Sequence, residues 1–415
     1  MIVANLIKSY WGEIVFVFSN TYSLALSFVA SIIATAFIDP LDMGIIQAVL
    51  LVQVYISFLQ LGVFNGLNRN LAYYKAKGDA ELVQDMVNTT YTVSYVVALI
   101  GFVLSLVVFF FFLVTGRPII YLLSSVLLGL FLIFVPLSNA IETTYRSGQE
   151  FKKLGVIKNY ETTLYAGLSL LPIILGYLGK IIADGTKNII GYIMRYTKRP
   201  YHQTGIGSKS SLFLLIRTGL PMLISGYVWT VFLTCDSTYI ARNLGMENLG
   251  LYSIANYVIM ALMMVPSALN SLLYPKASAR YGASGNVNCL KEFWKKSLLL
   301  YIVILVPLSI MLYFILPYMV EYLMPKYTNG VKAAQYSLLS CMTFISMGPA
   351  VLFGTLRRNT LNIIVLSLSV VLFWGIAMLF SDSFRTIESV SLLRFVISFF
   401  QMIIVLVLTY KYVNK

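Results

Sequence analysis

Two charged residues stand at the ends of one long uncharged stretch: Arg217 precedes residues 218–235 and Asp236 follows them. A straight helix would hold the two about 28 Å apart, so they cannot neutralise one another along it. An arginine so placed offers a bidentate fork to a phosphate, although snorkelling to the membrane interface is an equal use of its length. Asp236 suits a gate or a bound coupling ion, with capping or a structural ion pair as the alternative. Arg394 is a third charge inside an apolar run and should prefer a polar cavity or the interface to lipid. Uncharged polar residues form stripes. Gln53, Ser57, Gln60 and Asn68 fall within about 80° of one another at 100° per residue. Asn20, Ser23, Ser27 and Ser31 make a second stripe, and Ser253, Asn256, Ser267, Asn270 and Ser271 a third. A stripe of this kind either packs helices together or lines a cavity. Its recurrence in three runs favours a shared polar cavity for Asn20, Gln53, Gln60, Asn68, Asn256 and Asn270, with Arg217 and Arg394 as its cations.

None of these residues forms a catalytic constellation. His202 is the single histidine, and Cys235, Cys289 and Cys341 are isolated, which gives neither a disulfide framework nor a metal site. No Gly-rich nucleotide loop is present, so ATP is not the expected energy source. The chain is expected not to be an enzyme and to need no cofactor beyond an H+ or Na+ coupling ion.

The elements that carry these residues must be membrane helices. Fifty-nine per cent of the 415 residues are apolar and 11% charged, with mean hydropathy +0.83. Apolar runs occupy 14–37, 43–66, 88–114, 118–141, 218–235, 248–275, 297–320, 333–356, 359–381 and 389–410, and 162–179 is a shorter one. Segment 181–196 is interrupted by Asp184, Lys187 and Arg195; Asp184 and Lys187, three residues apart, would neutralise one another. Accepting it gives twelve spans. With both termini cytoplasmic, one side then receives 21 basic residues, Lys8, Arg357, Lys411 and Lys415 among them, and the other six, including Lys180. This bias accounts for the net charge of +14 without nucleic acid. No cleavable signal peptide is expected, since residues 1–11 carry one Lys and no short apolar core before a small-residue site. A faint duplication pairs Gly44 with Gly250, each at the head of an uncharged span, and points to two six-helix bundles, 1–205 and 206–415.

The stretch 212–282 carries Gly219, Pro221, Asp236, Gly250, Leu251, Tyr252, Pro266 and Pro275. In order and spacing it resembles the seventh and eighth helices of the polysaccharide-exporter branch of the multidrug/oligosaccharidyl-lipid/polysaccharide (MOP) superfamily, which includes O-antigen flippases; the rest of the chain matches in layout. The resemblance implies an all-α polytopic fold of about twelve helices around a V-shaped cavity. It also implies translocation of a polyprenyl-diphosphate-linked glycan across a bacterial inner membrane by alternating access, beside a polysaccharide polymerase and chain-length proteins. A multidrug–cation antiporter of the same fold would want more buried acids than the sequence places at membrane depth. A membrane-embedded polymerase or glycosyltransferase would want a large outer loop, which the sequence does not show.

Overall fold

Backbone polar groups in hydrocarbon must be satisfied within the chain, which leaves helices as the way for single apolar runs to cross. The computed structural model describes residues 11–284, 286–356 and 358–414, so Lys8, Arg357 and Lys415 of the charge tally lie outside the described residues. In order the helices are α1 (Trp11–Ala36), α2 (Pro40–Ile56), α3 (Val63–Ala76), α4 (Ala80–Val114), α5 (Ile119–Ser147), α6 (Phe151–Leu168), α7 (Leu171–Thr197) and α8 (Lys209–Asn243). There follow α9 (Met246–Leu251), α10 (Ser253–Ser284), α11 (Leu290–Leu323), α12 (Val331–Met342), α13 (Met347–Thr355), α14 (Asn359–Leu379) and α15 (Ile387–Val413). Local chemistry starts two of them cleanly. The Asp79 carboxylate accepts from the Leu82 amide at 3.1 Å ahead of α4, and Thr386 with Ser389 forms a reciprocal cap on α15.

Among the described residues, ten stretches are long and apolar enough to cross a membrane. Helices α6 and α7 pass that test together, bent by 117° at their break, and add an eleventh if counted as one span. Twelve crossings require each arm to be one. The expected run 162–179 straddles this break and is corrected: the turn falls at Ser169 and Leu170, and α6 reaches back to Phe151. Charge hid those early turns. Lys158 meets Glu142 at 3.0 Å and Arg195 meets Glu161 at 2.5 Å, so residues that looked too polar for a span are paired across helices. Lys180 is corrected likewise. It lies inside α7, buried, rather than in an outer loop, and its ammonium donates to Asp184 at 2.7 Å and to the Tyr165 hydroxyl at 2.9 Å. Asp184 is therefore paired with Lys180, one turn earlier on the same face, and not with Lys187, which stands 4.2 Å from the centre of the Tyr165 ring.

Helix α2 is interrupted at its C-terminal end. A 3-10 turn over Ser57–Gln60 is followed by two left-handed residues, Leu61 (φ 49°) and Gly62 (φ 81°), before α3 begins. Leucine in that conformation costs about 1–2 kcal/mol, which the packing around Val63 and Leu67, both fully buried, must offset.

Contacts group the chain into two compact units. The first is Met1–Ile38 with Ala48–Tyr227, and the second is Asp39–Gln47 with Val228–Lys415. This cuts the chain differently from a division at 205/206, because two helices are shared. The opening turns of α2 pack inside the second unit, and the first half of α8 inside the first. Glycines make both placements sterically feasible. A Cβ at Gly44 would overlap the Met246 carbonyl, and one at Gly250 the Pro40 carbonyl; a Cβ at Gly219 would overlap the Gly62 carbonyl, and one at Gly66 the Leu215 carbonyl. The first unit is also tied by the segment after α7. Tyr91 donates to the Tyr201 carbonyl at 3.1 Å, Thr92 to that of Ile206 at 2.7 Å, and Ser208 and Ser211 both donate to Asp85 at 2.5 Å.

Candidate functional site

In the first unit the break in α2 creates a small cavity of about 30 Å³, lined by Gln53, Ser57, Gln60, Phe64, Pro136 and Asn139 among others. Pro136 removes the amide that would bond the Leu132 carbonyl, and Leu132 is also at the wall. The Gln60 side-chain oxygen is buried there without a hydrogen-bond donor among the described residues. Gln53 and Gln60, singled out by the stripe, therefore face one cavity, and Asn139 joins them from α5. The remaining stripe members are more dispersed. Asn68 is exposed and accepts from Ser147 at 3.3 Å. Asn20 is half-buried on α1, next to Ser19, whose hydroxyl accepts from Asn159 of α6 at 3.1 Å. In the second unit Asn256 accepts from Ser237 at 3.2 Å and Asn270 from the Tyr301 hydroxyl at 2.7 Å, while the side chain of Ser271 lies outside those described. Arg217 is exposed on the first half of α8 and makes no hydrogen bond or ion pair among the described residues.

Asp236 and Arg394 come together inside the second unit. Asp236 is 0% exposed and Arg394 3%. The guanidinium is 3.3 Å from the carboxylate and 4.4 Å from the centre of the Phe232 ring. The same carboxylate accepts from the Tyr252 hydroxyl at 2.8 Å and the Ser237 amide at 2.7 Å. Arginine keeps its proton under all ordinary conditions, so this acid already holds a fixed cation. Arg394 is accordingly buried against Asp236.

The sequence reading missed a larger group on α5, α6 and α7. Glu142 receives Arg146 at 2.5 Å, Lys158 at 3.0 Å and Arg195 at 3.8 Å, and Arg195 passes on to Glu161 at 2.5 Å. Farther back along α7 come Lys187, Asp184 and Lys180, with Tyr165 of α6 beside them. The signal was present in the spacing: Lys180, Asp184, Lys187, Gly191 and Arg195 lie within about 80° of one another on a helix. Gly191 belongs to the same arrangement, since a Cβ there would crowd the Glu161 carboxylate and the Arg195 guanidinium.

Polar amides at a helix break, an exposed arginine and charges paired between helices are the polar features that these helices carry. Residues 12–280 match the family model described as polysaccharide biosynthesis protein. The chain belongs to the polysaccharide biosynthesis protein family. No curated protein matches the sequence. Among solved structures, this family member is similar to an inward-facing multidrug resistance MATE transporter of the MOP superfamily, at 13% identity over 94% of each chain with a TM-score of 0.73. It is similar to the lipid II flippase MurJ in an inward closed conformation, at 14% identity over 96% of this chain and 87% of that one, TM-score 0.69. A MOP superfamily transporter from Pyrococcus furiosus, whose binding pocket is described as of reverse polarity, follows at 12% identity over 97% and 95%, TM-score 0.67. At these identities the likeness is one of fold. It makes the polysaccharide biosynthesis protein a multi-pass membrane protein with the MOP transporter fold.

Proposed function

We propose that this protein is a flippase that carries a polyprenyl-diphosphate-linked oligosaccharide across the bacterial inner membrane, for O-antigen or a related surface polysaccharide such as that of lipopolysaccharide. Family membership of residues 12–280 on a MOP transporter fold carries the reading. Physics supports it. Sugar hydroxyls and anionic phosphates cannot cross hydrocarbon unaided, while the polyprenyl tail can stay among the membrane lipids. The exposed Arg217 meets the diphosphate at the inner end, and Gln53, Gln60 and Asn139 offer amides to the glycan or its waters. Transport proceeds by alternating access driven by an H+ or Na+ gradient, with both termini cytoplasmic, and delivers the glycan to a polymerase and its chain-length partner. Of the roles open to Asp236, its pairing with Arg394 supports the structural ion pair over a coupling-ion site. The same pairing weighs against the multidrug–cation antiporter.

The test is a deletion strain. Undecorated surface polysaccharide and accumulation of the lipid-linked oligosaccharide in the inner leaflet are expected, with export restored by the intact gene. Complementation with Arg217→Ala should fail at equal protein level, and Arg217→Lys should restore part, because charge is kept and the planar fork is lost. Unchanged glycans in the deletion strain would remove the substrate class, and full export by Arg217→Ala would leave that residue a snorkelling role.

A further inference from the structure

The second unit is strongly basic at one end and balanced at the other. At the basic end α10 stops, α11 starts and α15 stops, and they share a core of Ala277, Leu290, Phe293 and Val413 with Val351 and Leu352 of α13. Around that core Lys276 and Arg280 lie near the end of α10, Lys291, Lys295 and Lys296 open α11, and Lys411 stands in the last turn of α15, all of them exposed. Arg358, just ahead of α14, lies 5.9 Å from the centre of the Tyr412 ring. Among the described residues Glu292 is the acid that stands with them, and Lys296 already holds it at 2.7 Å. Lys291, Lys295 and Lys411 make no hydrogen bond or ion pair among the described residues. At the opposite end of the same unit the acids keep pace with the cations. There Lys326 meets Asp39 at 2.6 Å, Arg385 meets Asp382, and Glu247 and Glu321 are exposed as well.

Orientation bias alone gathers cations on one side of a membrane, but it does not arrange what lies beneath them. Here an aromatic pair does. The Trp294 indole N–H donates to the Thr409 hydroxyl at 3.0 Å, and the Trp294 and Tyr410 rings meet edge to face at 5.5 Å. Tryptophan and tyrosine favour the boundary between hydrocarbon and headgroups, so this pair ties the start of α11 to the end of α15 at that level. The lysines beside it then stand at the height of lipid phosphates. Along the same faces the surface turns apolar. On α11, Lys291 and Lys295 share a stripe about 80° wide with Leu299 and Ile302, and on α15 Lys411 shares one with Val407, Ile404 and Phe400. These apolar residues are all exposed. A molecule with an anionic head above an acyl chain meets both parts of such a stripe, whereas an acidic protein segment would use the lysines alone.

We propose that this end of the second unit is a seat for anionic phospholipid, with its headgroup on Lys291, Lys295 and Lys411 and its acyl chains along Leu299, Ile302, Ile404 and Val407. The bound lipid neutralises the unpaired cations and braces α11 against α15. The inference goes beyond the transport reading and rests only on the chain being a membrane protein, so it stands or falls without any glycan.

The test uses the delipidated full-length protein in detergent, with phosphatidylglycerol and phosphatidylcholine of identical acyl chains as probes and native mass spectrometry as the readout. Phosphatidylglycerol should bind roughly tenfold more tightly, an advantage that a few cations near an anionic headgroup can supply. Added salt should shrink that preference. Lys291→Gln with Lys295→Gln and Lys411→Gln should abolish it and leave phosphatidylcholine binding as it was. Arg242→Gln with Lys332→Gln removes cations from the opposite end and should leave the preference intact. If the triple variant fails to fold, Lys295→Gln alone serves in its place and should remove part of the preference. Equal binding of the two lipids, a preference that survives loss of the three lysines, or equal loss in both sets of variants would overturn the proposal. Retention of polyglutamate in place of lipid would give the surface to an acidic protein partner and overturn it too.

Discussion

The residues with the sharpest chemistry turned out to be bound to each other. Asp236 and Arg394 are 158 positions apart, and the shared burial of both makes the pair costly to leave half made. Removing one partner strands a charge in a medium of low dielectric, at about 3–5 kcal/mol, whereas replacing both by apolar groups is often close to neutral. Arg394→Met alone should therefore lower the thermal stability of the purified protein strongly. Asp236→Leu with Arg394→Met should recover most of the loss. A double variant no more stable than either single one would show that the pair does not act as a unit. The exposed Arg217 stands in contrast, and its replacement should leave stability nearly unchanged, as expected of a residue kept for a ligand or the interface.

At the scale of elements, α6 and α7 are where pattern and structure parted. Hydropathy looks for uncharged runs, and these helices carry Lys158, Glu161, Lys180, Asp184, Lys187 and Arg195. They hold together because the charges answer one another across α5, α6 and α7, which no window along a single segment can see. The turn at Ser169 and Leu170 then places the ends of α7 at opposite faces if it is a full crossing. With native cysteines removed, Leu170→Cys should react with an impermeant thiol reagent from outside the cell, and Lys198→Cys only from the cytoplasmic side. Reaction of both from one side would make α6 and α7 a re-entrant pair and reduce the crossings to eleven or fewer. Helix α2 departs differently. Its interruption at Leu61 and Gly62 depends on a left-handed leucine, which nothing in local propensity favours and which buried neighbours alone can maintain.

For the whole molecule, transport requires that the polar stripes meet water in some state. An amide facing lipid would forfeit its hydrogen bonds at a cost of kcal/mol order, so stripe positions must face protein or a wet passage. Cysteines placed singly at Gln53, Gln60, Asn256 and Asn270 should react with an impermeant reagent, with rates that change when lipid-linked glycan is supplied. Phe110 and Val407, exposed positions in apolar runs, are the comparators and should stay unlabelled. Stripe positions as inert as these in every condition would make packing the better account. The motif residues of 212–282 carried the resemblance to a branch of transporters, while composition and periodicity by themselves determined that this chain is a bundle of membrane helices and which polar stripes it carries. Those properties are set by each segment's transfer from water to lipid, a local quantity that the order of residues fixes. The tertiary structure alone decided that Asp236 answers Arg394, that Glu142 gathers three cations, and that both ends of α2 close on glycine. Each of these depends on which helices approach within a few ångströms of one another, and no single segment encodes that distance.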